Sequence, residues 1–344
     1  MSYQRECERP VKIGVIGIGS HCYRNILPTL TFLPVEIVAF CDREEDILAK
    51  TAAQYGVKRY YTNTAEMYEK EELDAVLFSV GPAAHPALTC EALDAGLHVW
   101  MEKPPAMRTM EIDKMISKRG DCIVVVGFKK AFMPSMRKAK NLLAESGSLR
   151  SMLVEYNTTI PTNGQNILDS RKVTDWLGNG CHPLSAMYDI GGKVKQVTSF
   201  ISKHGGGSCI LEFESGIVGT LVLAFGMRGP CERYSFYADQ AHVVVENCMK
   251  VSMHRGIPFT YGKTVNYAPP GTDSGTIVWE PQNTFATLEN KALFTQGMYD
   301  ELQYFFDCIL NGRKPETGSL EAAREIMKIY EAALLSNGRA VKIN

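Results

Sequence analysis

With 344 residues, 45% hydrophobic and 22% charged, the chain has the make-up of an ordinary folded protein of about two domains, which excludes a disordered or low-complexity polypeptide. Its 37 basic and 38 acidic residues leave a net charge of −1, without the basic excess usual in nucleic-acid binders. The ten cysteines are scattered with no C-x-x-C pair, the first ten residues hold no apolar leader core, and no apolar run approaches the ~18 residues of a membrane span. These features predict reduced thiols, no metal centre, and a cytoplasmic protein that partners neither nucleic acid nor membrane.

The first 128 residues alternate strand and helix signals. Residues 11–18, 35–41, 74–80, 98–101 and 122–126 are short apolar runs rich in β-branched residues, as strands buried on both faces require. Helical segments at 47–55 and 86–95 fall between them. This rhythm predicts a parallel sheet with crossover helices, an α/β Rossmann domain over residues 1–128. From 129 to 344 the pattern changes. Residues 151–159, 194–202, 208–214, 217–225 and 241–247 are strand-like with few helices between, and Glu214-Ser215-Gly216 reads as the turn of an antiparallel hairpin. This part is an α+β domain with a mostly antiparallel sheet. In the tail, Leu302, Phe305, Phe306, Ile309 and Leu310 form one helical stripe stopped by Asn311-Gly312, and Ser319 caps the next helix with Glu321 in its first turn. Lys129-Lys130 and Arg137-Lys138-Ala139-Lys140 read as solvated basic faces.

The chemistry begins where the first strand ends. Gly17-Ile18-Gly19-Ser20-His21-Cys22 places glycines at the first two positions of G-x-G-x-x-G. The first permits the tight strand-to-helix turn, and the second lets the backbone approach a pyrophosphate held at a helix N-terminus. The third position is Cys22, which is small. The second strand ends in Asp42, an acid at the ~20-residue spacing of a ribose reader. Its charge favours NAD over a 2′-phosphate. The adjacent Arg43 can lie over the adenine or accept that phosphate, so NADP stays open.

Further on, Pro82, His85 and the run Ala95-Gly96-Leu97-His98-Val99-Trp100-Met101-Glu102-Lys103-Pro104 resemble the glucose–fructose oxidoreductase / inositol dehydrogenase / MocA family (Gfo/Idh/MocA). Gly180-Cys181-His182-Pro183-Leu184 and the tail from Tyr299 to Lys342 extend the resemblance over nearly the whole chain. It implies a second domain built on an open sheet and a homo-oligomer, a dimer or tetramer. It also implies an NAD(P)-dependent dehydrogenase or reductase acting on the CH–OH group of a sugar, cyclitol or related polyol. By the same resemblance Lys103 stands at the hydride-transfer site and Glu102 by the nicotinamide ribose. Ser79, Gly81 and Pro82 line the cofactor with His85 nearby, and His182 closes the family's Asp-x-x-x-His signature. The chemistry agrees, since alcohol oxidation needs a base for the hydroxyl proton and histidine suits that near neutral pH. Lys103, at the carboxyl end of a parallel strand, stands where such sheets bind ligands.

One position departs from the pattern. The signature's aspartate falls at Gly178 here, so the carboxylate that would orient the substrate is missing. Asp175, seven residues before His182, is one replacement, and the use of Lys103 and His182 alone is another. A third reading is a different role for the scaffold: tightly held NAD used transiently in elimination or glycoside cleavage, or a non-enzymatic dinucleotide or sugar sensor. Asp169, Arg171, Lys172, Trp176 and Tyr299 are further substrate candidates, with Trp176 offering a stacking face. His204, His242 and His254 read as structural, as does the imidazole of His21 inside the cofactor loop.

Overall fold

The computed structural model, which describes residues 8–229, 231–256, 259–263, 275–282 and 291–343, gathers the N-terminal apolar runs into one parallel sheet. Its strands are β1 (Val11–Ile16), β2 (Val35–Cys41), β3 (Arg59–Tyr61), β4 (Ala75–Phe78), β5 (His98–Glu102) and β6 (Val124–Gly127), in the order β3-β2-β1-β4-β5-β6. The residues of β4 and β6 are all buried, which explains why those runs are apolar throughout. Strand order reverses between β1 and β4, so a crevice opens there beyond the carboxyl ends. β1 stops at Ile16, two residues earlier than its apolar run, because Gly17 takes φ 87° and turns the chain. Beyond it the chain enters a single π-helical turn, Cys22–Ile26, that runs into the short α-helix Leu27–Leu30.

Among the described residues the second sheet has nine strands: β7 (Leu149–Tyr156), β8 (Val194–Ile201), β9 (Gly207–Phe213), β10 (Val218–Leu223), β11 (Arg233–Ala238), β12 (His242–Glu246), β13 (Lys250–His254), β14 (Thr276–Trp279) and β15 (Val341–Lys342). Their order is β14-β13-β12-β11-β7-β10-β9-β8-β15, antiparallel except for the parallel pair β7·β10. Gly216, at φ 85°, makes the expected β9–β10 hairpin turn. Helices Pro134–Ala144, Cys181–Gly191 and Leu320–Ser336 cover one face, the last capped by Ser319, whose hydroxyl accepts from the Ala322 N–H at 3.2 Å. Strand alternation sends Phe200, Val218, Tyr237 and Val278 to the other face, where they are exposed.

The helix Met298–Leu310 returns from the far end of the chain to the first sheet. Its Met298, Leu302, Phe305 and Phe306 share one core with Val11, Ile13, Val15, Trp100 and Val125. Of the predicted stripe, Ile309 is half-buried and Leu310 is exposed, while Cys308 takes the buried position in the last turn.

Candidate cofactor cleft and active site

A cleft of about 640 Å3 opens at the carboxyl ends of β1, β2 and β4, lined by Gly17, Gly19, Asp42, Arg43, Ser79, Gly81 and neighbouring residues. A Cβ on Gly17 would lie 2.5 Å from the Ser79 carbonyl oxygen, so the turn admits only glycine. A Cβ on Gly19 would meet nothing within 4 Å, so this glycine leaves open space above the loop. The Asp42 carboxylate accepts from the Ile18 N–H at 2.6 Å and the Glu44 N–H at 3.1 Å. Asp42 thus braces the loop and keeps acceptor capacity for a hydroxyl pair. A cradle without side chains beside an acid at the strand switch point fits a dinucleotide. Thr62, Asn63 and Thr64 also line the cleft, and no sequence signal marked them. Other residues expected at the cofactor lie beside it. Ile18 is buried beneath the loop, Ser20 is exposed, Pro82 is half-buried, and His85 is buried with Nδ1 2.9 Å from the Pro104 carbonyl oxygen. Burial pushes the His85 pKa down. A cavity of about 740 Å3, lined by Glu8, Lys12, Glu72 and Asp74, opens at the amino ends of the strands, on the opposite edge from Lys103.

The end of β5 delivers Glu102 and Lys103. Glu102 is buried, and its Oε1 lies 2.7 Å from Nε2 of His21, whose Nδ1 is 3.1 Å from Asn25 Nδ2. His21 therefore ties the glycine loop to the strand that carries the lysine. Lys103 Nζ donates to the Gly178 carbonyl oxygen at 3.3 Å, so the position lacking the aspartate holds the lysine through its backbone. His182, on the helix Cys181–Gly191, is 7% exposed, and its ring makes no hydrogen bond among the described residues. Burial, then the charges of Lys103, Lys130 and Lys129, push its pKa well below the usual imidazole value, so the ring is neutral at pH 7. Its ring centroid lies 6.4 Å from that of Tyr156.

The other candidates scatter. Asp175 accepts from the Thr158 hydroxyl at 2.7 Å, the Thr159 N–H at 3.3 Å and Asn179 Nδ2 at 2.6 Å, which ties β7 to the helix start rather than reaching His182. Trp176 is 0% exposed and its indole N–H donates to the Tyr330 carbonyl oxygen at 3.2 Å. The stacking face expected of it is consumed by the core, because a short helix, Asp175–Gly178, turns the ring inward. Asp169 sits on an exposed helix face bonded to Gln165, Lys172 is exposed, and Arg171 pairs with Glu111 at 2.7 Å. Tyr299 packs on the core of the first sheet, 4.8 Å from the Phe294 ring.

The basic pair read as a solvated face is a correction. Lys130 is 3% exposed and its Nζ donates to Glu232 Oε1 at 2.5 Å, while Lys129 is half-buried, with burial and Lys130 lowering its pKa. The pair follows β6 directly, and the second sheet closes over it. Sequence reasoning also missed Glu232, Tyr156 and Glu301. Glu301 is 0% exposed with neither carboxylate oxygen partnered among the described residues. Burial, followed by the charge of Glu102, pushes its pKa well above the usual value, so it carries a proton. Among the described residues, no group of three His, Cys, Asp or Glu is placed to hold a metal ion, and no helix is long and apolar enough to cross a membrane.

Comparison with known proteins follows this geometry. Residues 11–128 match the family GFO_IDH_MocA, described as an oxidoreductase family with an NAD-binding Rossmann fold. Myo-inositol 2-dehydrogenase of Thermotoga maritima is 29% identical over 141 residues, covering 40% of this chain and 42% of that protein. The dTDP-3,4-didehydro-2,6-dideoxy-alpha-D-glucose 3-reductase of Actinomadura kijaniata is 26% identical over 236 residues, 64% of this chain and 69% of that one. The alignment thus spans under half the length of the Thermotoga relative and about two thirds of the Actinomadura one. A dehydrogenase structure from Chromobacterium violaceum superposes with TM-score 0.81 at 20% identity, covering 95% of each chain, which is a likeness of fold.

Proposed function

Because the chain belongs to the Gfo/Idh/MocA oxidoreductase family, with its NAD-binding Rossmann fold, we propose that it is a dehydrogenase or reductase acting on a carbinol carbon of a sugar, cyclitol or related polyol. The observation that carries this reading is that Lys103, which follows β5 and is held by the Gly178 carbonyl, is close enough to the buried His182 for its charge to help keep that ring neutral. Bound NAD supplies the two-electron acceptor for the carbinol C–H. The His182 ring, neutral because burial and the neighbouring lysines depress its pKa, keeps a lone pair free to take the hydroxyl proton. Lys103 Nζ, released from the Gly178 carbonyl, donates to the substrate oxygen as it becomes a carbonyl. Glu102 and His21 hold the strand end against the loop, so lysine and cofactor keep their register. The inositol and deoxysugar names of the two relatives support a small polyhydroxylated substrate.

A homo-oligomer is part of the proposal, with the exposed apolar side chains of the second sheet, Phe200, Val218, Tyr237 and Val278, as the surface a second copy covers. A reducing compartment such as the cytoplasm agrees with nine described cysteines that are all unpaired; Cys7 lies outside the described residues.

Absorbance of the reduced nicotinamide during a screen of sugars and cyclitols tests the activity. Lys103→Ala should abolish turnover, a loss of roughly 100-fold or more, and leave NAD affinity nearly unchanged. Tight NAD binding without turnover of any polyol would overturn the proposal.

A further inference from the structure

We propose that Glu232, just before β11, supplies the substrate-orienting carboxylate that the chain lacks at Gly178, and that its pocket takes the hydroxyl groups of a neutral polyol. This rests on the polyol reading above. A cavity of about 180 Å3 is lined by Tyr156, Asn157, Asn179, Gly229, Cys231 and Glu232. It adjoins the reaction centre on two sides. The Tyr156 ring lies 6.4 Å from that of His182, and Asn179 follows Gly178, whose carbonyl holds Lys103.

Glu232 is built to stay charged there. Burial would push its carboxyl up, but the Lys130 charge and the hydrogen bonds from Lys130 and Tyr234 outweigh it and hold the pKa below the usual carboxylate value. Oε1 accepts from Lys130 Nζ at 2.5 Å and Oε2 from the Tyr234 hydroxyl at 2.6 Å. A carboxylate offers about four acceptor positions, and Lys130, Tyr234 and the Cys248 thiol take about three, so about one remains for a ligand. Lys130 is fixed in turn by Cys248 Sγ at 3.2 Å and by the Tyr156 ring, 5.7 Å from Nζ to its centroid.

Asn157 gives one amide N–H to the Met227 carbonyl at 2.8 Å and Asn179 gives one to Asp175 at 2.6 Å, which leaves each amide an oxygen and a second N–H for a ligand. With Glu232 this lining offers both acceptors and donors, as the hydroxyl groups of a polyol require. Lys130 already neutralises Glu232, so the pair asks for no charged ligand. The carboxylate has moved from the helix before His182 to the facing sheet. Sterics did not force this, because a Cβ on Gly178 would meet nothing within 4 Å.

The test compares the wild type with the double variant Glu232→Gln/Lys130→Met, which removes both buried charges together so that neither is stranded. A triple variant adds Gly178→Asp. The probe is the polyol that the wild type turns over fastest, myo-inositol being tried first. The double variant should lose roughly 10- to 100-fold in affinity for it, seen in KM more than in kcat, with NAD binding intact. Gly178→Asp should restore part of the polyol KM.

A second readout needs no turnover. Cys231 is exposed on the cavity wall, so the polyol with NADH present should slow its alkylation by iodoacetamide, followed by peptide mass spectrometry. A wild-type KM in a folded double variant overturns the inference. So does an unprotected Cys231 at polyol concentrations that saturate the wild type, and this arm decides the matter even if the double variant fails to fold. A wild type that turns over no polyol overturns the functional reading first, and this inference with it.

Discussion

Burial, more than any partner, decides the protonation of His182. Its folded pKa lies well below the usual imidazole value, and that of His85 is also depressed. Two consequences follow at the scale of the residue. The acid limb of kcat/KM should lie below the ~6.5 of an ordinary histidine, because the base stays neutral there. Stability follows the same sign. At pH between the two values the unfolded chain binds the proton and the folded chain does not. The contribution is therefore complete above ~6.5 and is lost as pH falls toward the depressed folded value. Melting temperatures from pH 8 to pH 5 should fall more steeply for the wild type than for His182→Gln, with His85 leaving a residual slope; parallel curves would sink the assignment. His182 and Lys103 could be proposed from sequence because each sits in a local motif. Lys130 was not, because its partner Glu232 stands 102 residues away in the other sheet. Two adjacent lysines look the same in sequence whether water or a carboxylate awaits them. Trp176 misled for a related reason: only the turn of its short helix decides whether the ring meets ligand or core.

Elements, rather than residues, build the cofactor cradle. Asp42 ends β2 and bonds the Ile18 N–H of the loop that ends β1, so one side chain couples two strand ends. Asp42→Ala should weaken NAD by roughly 10-fold or more, from the loss of charge-assisted hydrogen bonds to the ribose. NADP should lose less, because the same change removes the repulsion of its 2′-phosphate. Isothermal titration with both cofactors measures the difference, and equal losses would mean that Asp42 only braces the loop. The fully buried strands β4 and β6 were readable in sequence because they are apolar throughout. β3, β11, β13, β14 and β15 were not, since they are short or mix polar with apolar residues. The parallel pairing of β7 with β10 joins segments far apart in the chain and leaves no mark in either.

At the scale of the whole molecule, the two sheets are not independent of the tail. The helix Met298–Leu310 lies on the first sheet although the chain builds the second sheet before reaching it. Sequence showed its apolar stripe and could not show which sheet it covers. The energetics give this arrangement weight. Burying each Leu, Met or Phe side chain is worth roughly 1.5–3 kcal/mol, so Met298, Leu302, Phe305 and Phe306 together are worth roughly 6–12 kcal/mol. The net stability of a domain is only roughly 5–15 kcal/mol. A fragment of residues 1–128 would expose Trp100 and Val125, on the two strands the helix packs against. That fragment should therefore aggregate or show no cooperative thermal transition by circular dichroism, while the full chain melts cooperatively. Adding the helix as a separate peptide should recover part of the transition. A fragment that folds alone, with the melting temperature of the full chain, would show that the first sheet does not depend on the returning helix.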